Sequence, residues 1–412
     1  MYSDNDLVNF IKTHSSYDLR ISGNGRWLDQ KCTPDVISTI SDCIVDYYES
    51  TGKNSFSSQD IWHSDYAEKY VSDVFKKPNV NSSKATSEYN KFFMQPMETL
   101  AYAGVLTKTK IKNRNIYKIE NLDLLKYCAL REKNSLKFLA EYITKVMKDS
   151  GLYYCFDNFF NLQTANSYFD LKDAYSNFII AHTKINGKVE VNRIFAKVIN
   201  PLAYVKNSVG SERGRKSKDV ITFDMLMYNR ENFRDLWNSK PKGKTRKEHA
   251  NSQTADARHY AKTKVLGIYL INRAKKYVRR YNVEFNGGMP EISMYSSGVP
   301  GNQVHHIFPV EHFPMIADYF ENLICIDPSQ HFYYAHPNND THRINKDFQA
   351  LLLVAKSETI EKDYACSRKF YDFGKFITVL KTGYSDNSFD NIPNLDFNCL
   401  RASIMRYYST GC

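Results

Sequence analysis

The 412-residue chain contains no C-x-x-C pair; its eight cysteines, at 32, 43, 128, 155, 325, 366, 399 and 412, are scattered. That excludes a small disulfide-stapled domain and leaves no spacing for a cysteine-bound structural zinc, so the thiols are expected reduced and packed as small hydrophobes. No apolar run reaches membrane-spanning length; the best stretch, around Val265–Ile271, is broken by Gly267 and flanked by lysines. The start, Met1-Tyr-Ser-Asp-Asn-Asp, is acidic and polar, unlike a secretory signal, and a cytoplasmic protein away from membranes is expected. P-loop, dinucleotide-binding and nucleophile-elbow motifs are all missing, as are internal repeats and low-complexity tracts. What remains is ordinary globular material, 42% hydrophobic and 25% charged, in a length that allows two or three domains.

The charge is unevenly spread. Of 56 Lys and Arg and 45 Asp and Glu, residues 193–281 hold 22 and 7, which leaves 34 basic against 38 acidic elsewhere. A codon bias toward lysine would raise the charge everywhere. A basic stripe on a mildly acidic chain is instead the footprint of a polyanion binder. Its densest parts are Arg213-Gly-Arg-Lys-Ser-Lys218 and Lys240-Pro-Lys-Gly-Lys-Thr-Arg-Lys247. With Gly or Pro among small polar residues, both read as mobile loops, and Arg213, Arg215, Lys242, Lys244 and Arg246 are candidate phosphate contacts.

Upstream, Thr33-Pro34-Asp35 reads as a helix start, with apolar residues from Val36 to Tyr48 at helical spacing. Ser57 or Ser58 can cap a second helix running toward Phe75, a third covers Ala85–Met94, and Pro96 is expected to restart a fourth ending near Gly104. Val105–Ile111, a turn at Lys112–Asn115 and Ile116–Ile119 then alternate as a β-hairpin carrying Lys110, Lys112 and Arg114. Helices followed by such a hairpin are a winged-helix-like arrangement, in which one helix enters a DNA groove and the hairpin touches the backbone; many protein-interaction modules share the layout. The domains expected are a winged-helix-like unit (1–130), a basic helical middle (131–290) and a C-terminal module (291–412). The class is α+β and mostly helical.

Five of the eleven histidines, 305, 306, 312, 331 and 336, fall within 32 residues of one another. Val304–Phe308 reads as a short strand stopped by Pro309, and Asn322–Ile326 as a second. Asp327-Pro-Ser329 opens a helix, with His331 near its first turn and His336 further on. Strand, loop, strand and helix would bring His305, His306 and His331 within reach of one ion. Val-His-His-Ile-Phe-Pro309, Asn322-Leu-Ile and His331 resemble the HNH, or ββα-metal, nuclease motif, with His306 as first histidine, Asn322 as central asparagine and His331 nine positions on. The combination is similar to a branch found in bacterial type II restriction endonucleases.

The resemblance covers about 35 residues. It implies a DNA endonuclease whose C-terminal ββα-metal module hydrolyses phosphodiester bonds in double-stranded DNA. His306 would be the general base. His305, His331 and His336 would hold a divalent metal, Mg²⁺ or Mn²⁺, and His331 and Asn322 would complete the catalytic set. Many members have Asp where this chain has His305; two imidazoles favour softer ions than Mg²⁺. A DNA methyltransferase as functional partner is implied too, and it stays open whether one subunit or a homodimer cuts both strands. The competing interpretation is a winged-helix DNA-binding regulator with an inactive HNH fold. Pro34-Asp35 also begins another common nuclease motif, but no acidic-x-Lys follows, and helix capping explains the pair better.

Overall fold

The computed structural model describes residues 2–75, 77, 80–81, 85–228, 255–335 and 345–409, with the backbone path alone for Asp73 and 255–266. The chain forms two compact units, Tyr2–Ala255 and Asp256–Cys412. Residues expected to make a separate middle region are therefore shared out, 131–255 to the first unit and 256–290 to the second. The reason is burial: in the first unit the helices that follow residue 130 close over the helix that begins at Pro34.

In the first unit α1 (Asp4–Thr13), α2 (Leu19–Ser22) and α3 (Pro34–Thr51) come first. Every residue of α3 from Pro34 to Val45 is buried, so it is the axis of the unit rather than a surface helix. Thr33 takes the N-cap position with extended backbone, yet its hydroxyl bonds the Asp35 carboxylate and caps no amide. Asp35 is itself buried, with both oxygens accepting the Tyr228 N–H, 3.0 and 2.9 Å away.

Next come β1 (Ser55–Ser57), α4 (Ser58–Trp62), α5 (Asp65–Phe75) and α6 (Ala85–Tyr102). Ser57 and Asp60 cap α4 reciprocally, as Ser-x-x-acid should, but the helix expected to run on to Phe75 breaks at His63-Ser64. Pro96 does not restart a helix; it lies inside α6. Phe92, Phe93, Met97 and Leu100 are buried on both sides of it, so core packing outweighs the one backbone bond a proline removes. β2 (Leu106–Ile111) and β3 (Arg114–Ile119) form the expected hairpin, turning on Lys112 at φ 52°. β1 adds a third antiparallel strand in the order β1-β3-β2.

The unit is completed by α7 (Leu122–Leu130), α8 (Glu132–Asp149), α9 (Tyr153–Leu162), α10 (Ala165–His182), α11 (Lys188–Val205), β4 (Val209–Glu212), β5 (Arg215–Val220) and α12 (Phe223–Leu226). α7 and α8 lie against α3. The Arg213–Lys218 stretch, expected as a mobile loop, is part of an ordered antiparallel hairpin in which Glu212 pairs with Arg215. Arg213 (φ 49°) and Gly214 (φ 83°) are a two-residue turn with both φ positive, the hand that matches strand twist. Asn200 of α11 clamps Ser211 through both backbone groups, at 2.9 and 2.7 Å, and Gly210 fits close against the same asparagine.

The second unit opens with the long α13 (Ala255–Asn286), followed by β6 (Gln303–His306) and β7 (Leu323–Ile326), which pair antiparallel with Val304 opposite Cys325 and His306 opposite Leu323. A helical turn with π-type spacing, Gln330–Ala335, comes next, then α14 (Lys346–Ala365), α15 (Phe373–Tyr384) and α16 (Phe397–Ser409). β7 is buried along its whole length, so it reads as a continuous apolar run. The molecule is α+β and mostly helical. Among the described residues no helix is long and apolar enough to cross a membrane.

Candidate functional site

The histidines gather around the β6–β7 hairpin and the turn after it. Asn322, fully buried, sits just before β7 and ties the connecting loop shut. Its carboxamide oxygen accepts the Phe308 N–H at 2.9 Å, while its NH₂ donates to the carbonyls of Phe308 and Ile316 at 3.0 and 3.3 Å. The Asn322 carbonyl also accepts the Ile307 N–H at 2.9 Å. A hydrophobic residue of this size would leave the Phe308 N–H and carbonyl unpaired in the interior, at about 1–3 kcal/mol each.

That loop positions His306. Its Nε2 lies 3.0 Å from the Ala317 carbonyl, which can only accept, so Nε2 carries the proton and Nδ1 keeps a lone pair. Burial, with the Lys275 charge second, pushes the ring down to about 4, and the Ala317 bond only partly opposes this. The imidazole is therefore neutral near pH 7, the form a proton acceptor needs.

His305 is next along β6 and only 8% exposed. Successive strand residues face opposite ways, and its ring meets His331 edge to face with centroids 5.4 Å apart. Two imidazoles sharing a cation through bonds of about 2.1 Å at a tetrahedral angle have centroids about 5.3 Å apart, so the pair is spaced as two ligands of one ion would be. The hairpin and turn thus bring His305 and His331 together and tie His306 to Ala317. Among the described residues no group of three His, Cys, Asp or Glu side chains is placed to hold a metal. His336 lies outside them.

His331 hangs from a capping box. The Asp327 carboxylate accepts the Gln330 N–H at 2.8 Å, the Gln330 carboxamide accepts the Asp327 N–H at 3.0 Å, and the His331 N–H reaches the Asp327 carbonyl at 3.0 Å. Burial alone would raise the Asp327 carboxyl. Bonds from Gln330, the Ser297 N–H (2.7 Å) and the Ser296 and Ser297 hydroxyls (2.8 and 3.2 Å) outweigh it and hold the group below the usual carboxylate range. Gln330 also donates to the carbonyls of Ile292 and Met294 at 2.9 and 2.8 Å. The sequence opens a helix at Asp327-Pro-Ser329, and Asp-Pro-Ser-Gln carries the capping-box signal through Gln330, which that reading missed.

Two further supports were not visible in sequence. Gln349 of α14 donates to the Ile307 carbonyl at 2.8 Å, one residue past His306. Lys356, fully buried, meets Glu291 at 3.1 Å and the Tyr371 hydroxyl at 2.8 Å, and Glu291 accepts the Cys325 N–H at 2.8 Å. This ion pair fastens α14 to β7.

The other candidates sit on two hairpins of the first unit. Lys110, Lys112 and Arg114 are exposed around the β2–β3 turn, with Lys110 opposite Asn115 and Arg114 opposite Ile111. Arg213 and Arg215 are exposed at the β4–β5 turn, where Lys172 donates to the Gly214 carbonyl at 2.9 Å. Lys242, Lys244 and Arg246 lie outside the described residues. Comparison with protein-family models, with curated proteins and with solved structures yields no match to this chain.

Proposed function

We propose that this chain is a metal-dependent endonuclease acting on double-stranded DNA, with HNH chemistry in the second unit and DNA recognition in the first. The observation that carries the reading is the pairing of His305 with His331, with the neutral, carbonyl-anchored His306 next to His305 in the chain. A phosphodiester is an anion that repels nucleophiles, so its hydrolysis needs an activated water and charge neutralisation. The His306 Nδ1 lone pair takes the proton of the attacking water. His305 and His331, with His336 as a further ligand, hold a divalent cation, Mg²⁺ or Mn²⁺. When bound, that cation polarises the phosphate and stabilises the departing oxygen. Asn322 keeps the loop closed, so the base stays on its carbonyl anchor.

In the first unit the element order, helices and a strand leading to a hairpin with sheet order β1-β3-β2, supports a winged-helix reading. α6 would be the groove-facing helix and Lys110, Lys112 and Arg114 the wing. Arg213 and Arg215 add phosphate contacts. Site recognition joined to cleavage in one chain of this length fits a type II restriction endonuclease, cytoplasmic, paired functionally with a DNA methyltransferase and acting alone or as a homodimer.

A cleavage assay on long duplex DNA with Mg²⁺ or Mn²⁺ tests this. The wild type should give discrete fragments, and His306→Ala should lose at least about 100-fold in rate while metal affinity holds, because a base is not a ligand. The second reading, a DNA-binding regulator with an inactive HNH fold, is favoured by the described residues forming no group of three ligating side chains. Retarded but intact DNA from both proteins would decide for it.

A further inference from the structure

The last helix of the second unit, α16, reaches the histidine loop by two routes that end on consecutive residues. Tyr408, in its final turn, is half-buried and donates its hydroxyl to the Gln349 carboxamide oxygen at 2.8 Å. Gln349 is buried in α14 and passes the contact on, its NH₂ donating to the Ile307 carbonyl at 2.8 Å. The second route is aromatic. The Tyr384 ring of α15 stands edge to face against Phe308 with centroids 5.3 Å apart, and meets the rings of Tyr407 and Tyr408 at 3.9 and 5.8 Å.

The Ile307 carbonyl and the Phe308 N–H belong to one planar peptide group. Gln349 holds its oxygen, and Asn322 holds its N–H at 2.9 Å. His306 is the residue before it, with its own ring on the Ala317 carbonyl. What keeps the oxygen end of that peptide fixed is the orientation of the Gln349 amide. A carbonyl can only accept, so the NH₂ must face Ile307, and the carboxamide oxygen then faces the Tyr408 hydroxyl. Removing the hydroxyl takes a donor from a buried oxygen. Oxygen and NH₂ share one rigid plane, so any rotation that finds the oxygen a new donor takes the NH₂ off Ile307.

We propose that Tyr408 is a positioning residue of the histidine site: acting through Gln349, it fixes the peptide that follows His306 and so the place from which that imidazole meets the attacking water. This rests on the nuclease reading and gives the C-terminal helix a part in it. Misplacing a reacting group by about 1 Å can cost about 100-fold in rate, so a bond made two side chains away is felt at the base. The hydroxyl carries the effect; the ring stays packed on Tyr384 when the hydroxyl is removed.

The test compares wild type, Tyr408→Phe, Gln349→Met and the double variant as full-length proteins, with amide hydrogen exchange followed by NMR. Tyr408→Phe should speed exchange of the Phe308 N–H about 10-fold, the equivalent of one hydrogen bond, and leave the amides of Val278 and Tyr281 in α13 unchanged. On the Gln349→Met background the same substitution should have no effect, because the link it acts through is gone. Unchanged exchange at Phe308 would overturn the proposal. So would equal acceleration at Phe308, Val278 and Tyr281, the mark of a merely structural residue, or a full effect of Tyr408→Phe in the double variant. With Mn²⁺ and saturating duplex DNA, Tyr408→Phe should slow single-turnover cleavage at least about 10-fold with DNA and Mn²⁺ affinities unchanged; an undiminished rate would also overturn it. Should the wild type cut no DNA, the nuclease reading falls, and the exchange comparison still decides whether Tyr408 fixes the His306 loop.

Discussion

At the scale of single residues, several polar groups of the second unit are buried and paired with one another. The fully buried Lys356–Glu291 pair is the sharpest case. Lys356→Met leaves the Glu291 carboxylate in the interior without its cation, which should cost about 3–5 kcal/mol in urea unfolding. Lys356→Met combined with Glu291→Gln should recover much of that, because the amide oxygen still receives the Cys325 N–H; additive losses in the double variant would refute the coupling. His306 makes a pH prediction. Its folded value of about 4 lies below the ordinary 6.5, so between those limits the unfolded chain binds a proton the native state does not. Its contribution is complete above pH 6.5 and fades as pH falls toward 4, by about 3 kcal/mol at most. Unfolding curves of wild type and His306→Gln should diverge over that window, and parallel curves would contradict the assignment.

At the scale of elements, close approach decides how the histidine loop is held. Phe308 has both its N–H and its carbonyl bound to Asn322, and its ring lies against Gly383 of α15 so tightly that an added Cβ would run into it. Gly383→Ala should therefore destabilise by about 1–3 kcal/mol through overpacking and disturb the loop that places His306. Adding Phe308→Leu should relieve part of the loss; no relief would show that the strain lies elsewhere. Much of this layer was legible in sequence. The two short strands, the asparagine before β7 and the cap at Asp327 follow from alternation and turn chemistry within a few residues. The Arg213–Lys218 hairpin carried an equally local signal, Arg-Gly between short strands, which its density of charge and small polar residues masked. Pro96 shows the limit of such signals, since a helix breaker yields when the residues around it are buried.

At the scale of the molecule, the basic stripe does not coincide with one compact unit. Within it, Arg193–Val220 belongs to the first unit and Asp256–Tyr281 to the second. A stripe that tracks phosphate should act on all sequences alike. Replacing Arg213, Arg215 and Lys218 with glutamine should weaken binding to any duplex and reduce the steepness of its salt dependence by up to about three phosphate contacts. A loss confined to one preferred sequence, with an unchanged salt slope, would move this hairpin from backbone contact to base reading.

The sequence by itself determined the helical class, the β2–β3 hairpin and the intervals among His305, His306, Asn322 and His331, because strands, turns and caps are set by residues within a few positions of one another. Only the tertiary structure decided that Lys356 meets Glu291 and that Gln349 holds the backbone after His306. Those partners stand 65 and 42 positions apart. Which buried surfaces meet is a property of the whole core, and the pairing of a charge follows from that meeting.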